Sequence, residues 1–245
     1  MNAQKRLSLL DGLRGITLLS MIAYHAAYDL VYLYHRQLPG YRGLPGYLWQ
    51  QSICWTFLFL SGYCRGISRS GTGRQLRRGL ILSGCGLLIT AVTALVMPDS
   101  VVIMGVLSFY GLAVLLTALA SPLLSRISAP AGLLCCLVLF FLTRNVPSGS
   151  LGFESIRLCS LPGFLYQGIP MMILGFPWPG FYSTDYFSLL PWIFLFWSGY
   201  YSSSIVRPAF LEKSFCRPLE FLGRHSLLIY MLHQPVIMAC CLLLF

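Results

Sequence analysis

The chain is a succession of apolar runs of bilayer-spanning length, parted by short polar segments in which arginine is common. A helix needs roughly 20 predominantly apolar residues to cross the hydrocarbon core of a bilayer. Runs of that kind cover about 11–34, 47–64, 79–97, 101–119, 131–142, 187–206 and 226 to the end. The pattern predicts an all-α polytopic transmembrane helical bundle of about seven spans. It forms a single integral-membrane domain over 1–245, with no length left for a separate soluble domain. No internal repeat or low-complexity tract interrupts it.

The segment around 144–186 departs from the rule of short loops. It is rich in proline, glycine and aromatics, and its apolar stretch 161–176 is broken by Pro162, Gly163, Gly168 and Pro170. Irregular backbone at membrane depth is tolerated only against protein or a cavity. The segment therefore reads as re-entrant or interfacial. The alternative, an additional span, would reverse the orientation of everything after it.

Composition agrees with lipid as the solvent. Of the residues, 57% are hydrophobic and 10% charged, where a soluble domain carries about 25% charged residues. The mean hydropathy is +0.73. The net charge of +10 does not signal nucleic acid, because the basic residues sit in short loops between apolar runs and follow the positive-inside bias. Arg65, Arg69, Arg74, Arg77 and Arg78 share one loop with no acid. That loop is expected in the cytoplasm, and the N-terminus with Lys5 and Arg6 alongside it. Arg207, Lys213, Arg217 and Arg224 against Glu212 and Glu220 return the chain to the same side. The first run is too long for a signal-peptide core and carries Arg14, His25 and Asp29, so it reads as a retained helix.

Several chemistries find no support. The nine cysteines form no CxxC pair, and most lie inside apolar runs as small packing residues. The histidines at 25, 35, 225 and 233 have no ligand spacing, so no metal is expected. There is no Walker loop and no GxGxxG. No permanently bound cofactor is anticipated.

The first span holds the densest chemistry. A charge at the centre of a spanning helix costs about 2.5–3.5 kcal/mol on insertion scales. Asp11, Arg14, Leu18, Met21, His25 and Asp29 recur at three and four residues and share one helix face. Arg14 and His25 lie three turns apart, roughly 16 Å along the axis. Asp11 is placed to pair with Arg14. Asp29, one turn beyond His25, is placed to hold the imidazole tautomer, the base-plus-orienter arrangement of acid–base catalysis. Tyr24 and Tyr28 flank the stripe. The reading that follows is a site with His25, Asp29 and Arg14 as catalytic groups. Two others stay open: a proton-coupled transporter or flippase using the stripe as a relay, and a non-catalytic membrane subunit in which the stripe only packs.

A resemblance adds to this. The run Arg6-Leu7-Ser8-Leu9-Leu10-Asp11-Gly12-Leu13-Arg14-Gly15, followed by Tyr24-His25, resembles the start of the transmembrane acyltransferase superfamily. The Arg14–His25 spacing fits its acyltransferase-3 branch. The chain as a whole is more similar to bacterial relatives of the heparan-alpha-glucosaminide N-acetyltransferase catalytic domain. Phe57 to Gly62, Gly105 to Ser108, Asp185 to Trp192, and Gly223 to Tyr230 with His233-Gln234-Pro235 continue the likeness in order. The resemblance implies acetyl transfer from acetyl-CoA or another acyl-CoA as co-substrate. The acceptor would be a hydroxyl or amine of a sugar, glycolipid or envelope polymer. It implies a multi-pass protein of the bacterial inner or plasma membrane, with membrane lipids around it and homodimerisation left open. His25 would take the acceptor's proton or carry the acyl group, and Arg14 would stabilise donor charge or a developing oxyanion. Asp11, Tyr24, Asp185, Arg224 and His233 complete the expected site as substrate-binding residues. Asp185 stands at the outer mouth of the sixth span, Arg224 is placed for acyl-CoA phosphates, and His233 lies in the last span beside Pro235, which lacks an N–H.

Overall fold

The computed structural model describes residues 7–68, 70–206, 209–214 and 216–244. Lys5, Arg6, Arg69 and Arg207, which carry part of the expected orientation, lie outside the described residues. In chain order the elements are α1 (Ser8–Tyr32), α2 (Leu44–Ile67), α3 (Thr72–Val96), α4 (Val106–Leu124), α5 (Ala129–Thr143), β1 (Ser150–Phe153), β2 (Ile156–Ser160), α6 (Ile169–Leu174), α7 (Leu189–Ile205), α8 (Arg217–Arg224) and α9 (Ser226–Leu244). An all-α membrane bundle is thus the architecture, and a long helix stands at each of the seven expected places.

Among the described residues, four segments are both long and apolar enough to cross a membrane: Thr72–Val96, Val106–Leu124, Ala129–Ser148 and Ser226–Leu244. On α3 the side chains of Leu80, Leu87, Leu88, Leu95 and Val96 are exposed, a surface suited to lipid and not to water. The helix α1 spans 25 residues, about 37 Å at the α-helical rise, so its length suffices while its ionisable stripe lowers its hydropathy.

Some boundaries differ from the sequence expectation. The helix α3 starts at Thr72, so Arg74, Arg77 and Arg78 lie on its opening turns and not in a loop. Arginine is a good helix former, and its long stem lets the charge reach the interface from a helical position. The stretch before the last span, expected as loop, contains α8, which opens with a proline in its first turn, where the missing N–H costs nothing. In the 144–186 segment the longest helix is the six-residue α6. At about 9 Å it is too short to cross, so the alternative of an additional span there is not realised.

The chain divides into two compact units, Met1–Leu60 with Val206–Phe245, and Ser61–Ile205. In the first, α1 lies against α8 and α9. A Cβ on Gly15 would sit 2.0 Å from the Leu219 carbonyl oxygen, and one on Gly223 would sit 1.8 Å from that of Asp11. Only glycine at these two places lets the backbones of α1 and α8 touch. Leu18, Met21 and Ile53 form the buried core of the unit, with Tyr24, Trp49, Phe57, Leu222, Ile229 and Tyr230 packed around them. The α1 helix ends where His35 takes a left-handed conformation, φ +52°, and the Arg36 N–H turns back to the Leu30 carbonyl at 2.8 Å.

In the second unit α3 packs on α4, and α5 on α7. Leu124, Cys136 and Tyr201 are the buried centre of one cluster, walled by Phe194, Trp197 and Tyr200. The Tyr201 hydroxyl donates to the Leu124 carbonyl at 3.1 Å, and the Trp197 indole to the Thr117 hydroxyl at 2.9 Å. The irregular segment of this unit holds an antiparallel hairpin. β1 pairs with β2 in the register Ser150↔Ser160 and Phe153↔Ile156, with a bulge between Leu151 and Gly152. The Asn145 amide clasps it by donating to the carbonyls of Glu154 and Ile156 at 3.0 and 3.1 Å.

Candidate active site

The expected stripe lies on α1, and its partners come from α8 and α9 in the same unit. At the start of α1, Asp11 faces Arg224 of α8, with Oδ2 3.8 Å from Nε. Arg224 also reaches Glu220, Nη2 to Oε2 at 3.3 Å. Glu220 is only 3% exposed and takes a second hydrogen bond from the Ser214 hydroxyl at 2.6 Å. The glycine contacts explain the arrangement: with the two backbones touching, Asp11 and Arg224 are brought within ion-pair range. The expected Asp11–Arg14 pair is therefore not formed, and Arg224, set between two carboxylates, has its charge balanced within the fold. Arg14 has no ion pair or hydrogen bond among the described residues. It is a partly buried cation whose guanidinium is uncommitted.

Three turns further along α1, His25 meets α9. Its ring stands edge-on to that of His233, centroids 4.8 Å apart, with Tyr24 on its other side at 6.0 Å. Tyr24 itself is part of an aromatic wall, 5.2 Å from Tyr41 and 5.3 Å from Trp49. The Tyr41 hydroxyl fixes that wall by donating to the Tyr24 carbonyl at 3.1 Å, and the Trp49 indole does so through the Ser20 hydroxyl at 2.8 Å.

Asp29 does not orient His25 as its one-turn spacing suggests. It is 1% exposed, and both of its carboxylate oxygens accept from the Gln234 amide, at 3.0 and 2.9 Å. Asp29 finds its donor on α9, while His25 is engaged by the rings of Tyr24 and His233. The result is a clamp between the two helices one turn from the His25–His233 contact. Gln234 was missed as a site residue in the sequence. The available signal was an amide at membrane depth beside a histidine, which needs an interhelical partner.

His233 has a defined state. Its Nδ1 lies 2.6 Å from the Tyr230 carbonyl. A carbonyl only accepts, so Nδ1 carries the hydrogen, and in the neutral ring Nε2 holds a lone pair. That Nε2 is buried without a hydrogen-bond partner among the described residues, and so is the Gln234 Oε1. Two imidazolium cations at the His25–His233 distance would repel each other, so the contact disfavours charging both rings at once.

Asp185 belongs to the second unit. Its Oδ2 accepts from the Val106 N–H at 3.2 Å, at the open end of α4, whose own N-cap position is Gly105 and supplies no side-chain bond. It thus caps a helix from outside it. Burial pushes its carboxyl up to about 6, against the opposing pull of the Val106 N–H. Among the described residues no group of three or more His, Cys, Asp and Glu is placed to hold a metal ion.

A helical membrane protein with a histidine pair, a carboxylate and, among the described residues, an unpartnered arginine on packed helices falls in the class whose ionisable groups at membrane depth are candidates for a functional site. The family described as heparan-alpha-glucosaminide N-acetyltransferase, catalytic, matches residues 6–235, and the chain belongs to that family. The match takes in both units and every candidate residue named above. Comparisons with curated proteins and with solved structures give no match.

Proposed function

We propose that the protein is a membrane-embedded acyltransferase that moves an acetyl group from acetyl-CoA, or a related acyl group from its CoA thioester, to a hydroxyl or amine. The acceptor is a sugar, a glycolipid or an envelope polymer. The protein works from a bacterial inner membrane with its N-terminus in the cytoplasm. Family membership supports the reaction class. The observation that supports the reading in the structure is the contact between His25 of α1 and His233 of α9, on the same helix as an arginine with no partner among the described residues.

Acetyl transfer needs a group that accepts the acceptor's proton or carries the acyl group, and a positive group where charge builds on the thioester carbonyl or the donor. The imidazole of His25 serves the first need. The free guanidinium of Arg14 serves the second. Asp29 and Gln234 hold α1 and α9 together so that the rings stay in reach of one another.

The test is release of CoA thiol by the purified protein in detergent, with acetyl-CoA as donor and glucosamine as acceptor probe. His25→Ala is expected to lower turnover by about 10²–10⁴-fold, the scale of losing a positioned catalytic side chain, whether it takes the proton or contacts the acyl group. Acetyl transfer at the wild-type rate in that variant would remove His25 from the mechanism.

A further inference from the structure

We propose that His233 is the general base of the transfer, a division of labour that leaves His25 to face the acyl group. The proposal rests on the acetyltransferase reading. It starts from a difference between the two rings. Among the described residues, His25 has ring contacts alone, to Tyr24 and His233. His233 is anchored: its Nδ1–H is committed to the Tyr230 carbonyl at 2.6 Å, which fixes the tautomer and leaves the lone pair on Nε2. A base must present a lone pair, and this one is already oriented.

Two further facts converge on the same nitrogen. His233 is only 8% exposed, more than nine-tenths buried, and Nε2 has no hydrogen-bond partner. A buried acceptor left without a donor is destabilising, and a donating substrate hydroxyl or amine would relieve that. Such a donating group is the complement this nitrogen calls for.

The step balances as follows. The acceptor oxygen or nitrogen forms a bond to the acyl carbonyl carbon, and the proton it loses passes to Nε2 of His233. The C–S bond of the acyl-CoA breaks with its electron pair on sulfur. The His233 imidazolium then returns its proton to the CoA thiolate, so the thiol departs and the ring is neutral again. The Asp29–Gln234 clamp, one residue from His233 and one turn from His25, acts as a positioning device for both rings.

The experiment compares wild type, His233→Asn and His233→Ala in the CoA-release assay with acetyl-CoA and glucosamine. Asparagine keeps a donor near the position of Nδ1 and removes Nε2. The expected result is a fall in kcat of about 10²–10⁴-fold, with KM for acetyl-CoA within about twofold of wild type as the sign of an intact donor site. Added free imidazole restores turnover in His233→Ala. Wild-type kcat in His233→Asn would overturn the proposal. So would a loss in His233→Ala that imidazole fails to restore while the KM for acetyl-CoA is unchanged. A wild-type protein that releases no CoA at all would instead sink the acetyltransferase reading, and the two failures are told apart in one assay.

Discussion

Asp29 shows how a single carboxylate is accommodated away from water. Its two oxygens share the Gln234 side-chain amide nitrogen as donor, so part of what solvent would have offered is replaced by a side chain 205 positions away. Removing the amide alone leaves a buried carboxylate without donors, which costs about 1–3 kcal/mol and more for a charged group. Gln234→Leu is therefore expected to lower the thermal unfolding midpoint in detergent. The double variant Asp29→Leu with Gln234→Leu is expected to recover much of the loss, since replacing both members of a buried polar pair with apolar groups is far less costly than orphaning one. A double variant no more stable than Gln234→Leu would show that the clamp contributes nothing. At this scale the sequence was partly legible. Helical spacing placed Arg14, His25 and Asp29 on one face, because periodicity reports the face. It could not report the partner: Asp11 looked paired with Arg14 and Asp29 with His25 because those were the near neighbours in sequence, and the structure gives Arg224 and Gln234 from other helices.

Among the elements, α4 has a start that depends on a residue far from it in sequence. Asp185 accepts from the Val106 N–H, and burial holds its carboxyl up at about 6, against about 3.9 in an unfolded chain. The sign follows from proton binding. Below about pH 4 both states are protonated. Between about pH 4 and 6 the unfolded chain has released the proton while the folded one retains it, so stability falls as pH rises, by on the order of 3 kcal/mol in all. Above about pH 6 both are ionised and the dependence flattens. Asp185→Asn keeps an acceptor for the Val106 N–H and has no such titration. Thermal unfolding across this window should slope downward in wild type and run level in the variant, and parallel curves would refute the assignment. The hairpin of β1 and β2 is the element the sequence concealed. Its strands are four and five residues long, and the turn between Phe153 and Ile156 is Glu154-Ser155, without the Asn-Gly or Asp-Gly signal of a tight hairpin. Glu154 takes the positive φ, +52°, that glycine or asparagine would have announced. The breaks at Pro162, Gly163, Gly168 and Pro170 were readable, and they do keep α6 to a single short turn or two.

For the whole molecule, the order of apolar runs was legible because the bilayer sets a length that each run must meet, and a long helix occurs at each of the seven expected places. The helix ends were less so: Arg74, Arg77 and Arg78 were assigned to a loop by their charge, yet an arginine on the first turns of a helix can reach the same interface. The charge pattern supports a proposal about sidedness that can be tested. On the proposed orientation, with the N-terminus and the α2–α3 connection inside and each helix from α1 to α5 crossing, the segment between α5 and α7 would emerge on the outer face, since α6 is too short to cross back. That segment carries Cys159 on β2, a strand exposed along its length. Cys216, just before α8, falls on the cytoplasmic side by the same count, and Cys240 lies on α9 where a water-borne reagent has no access through lipid. A membrane-impermeant maleimide applied to cells with the outer face of this membrane accessible should label the protein, and Cys159→Ser should abolish that labelling. Labelling that persists in Cys159→Ser and disappears only in Cys216→Ser would invert the topology, placing the hairpin and its aromatic segment in the cytoplasm and moving the basic α2–α3 connection to the outer surface, against the charge rule from which the orientation was read.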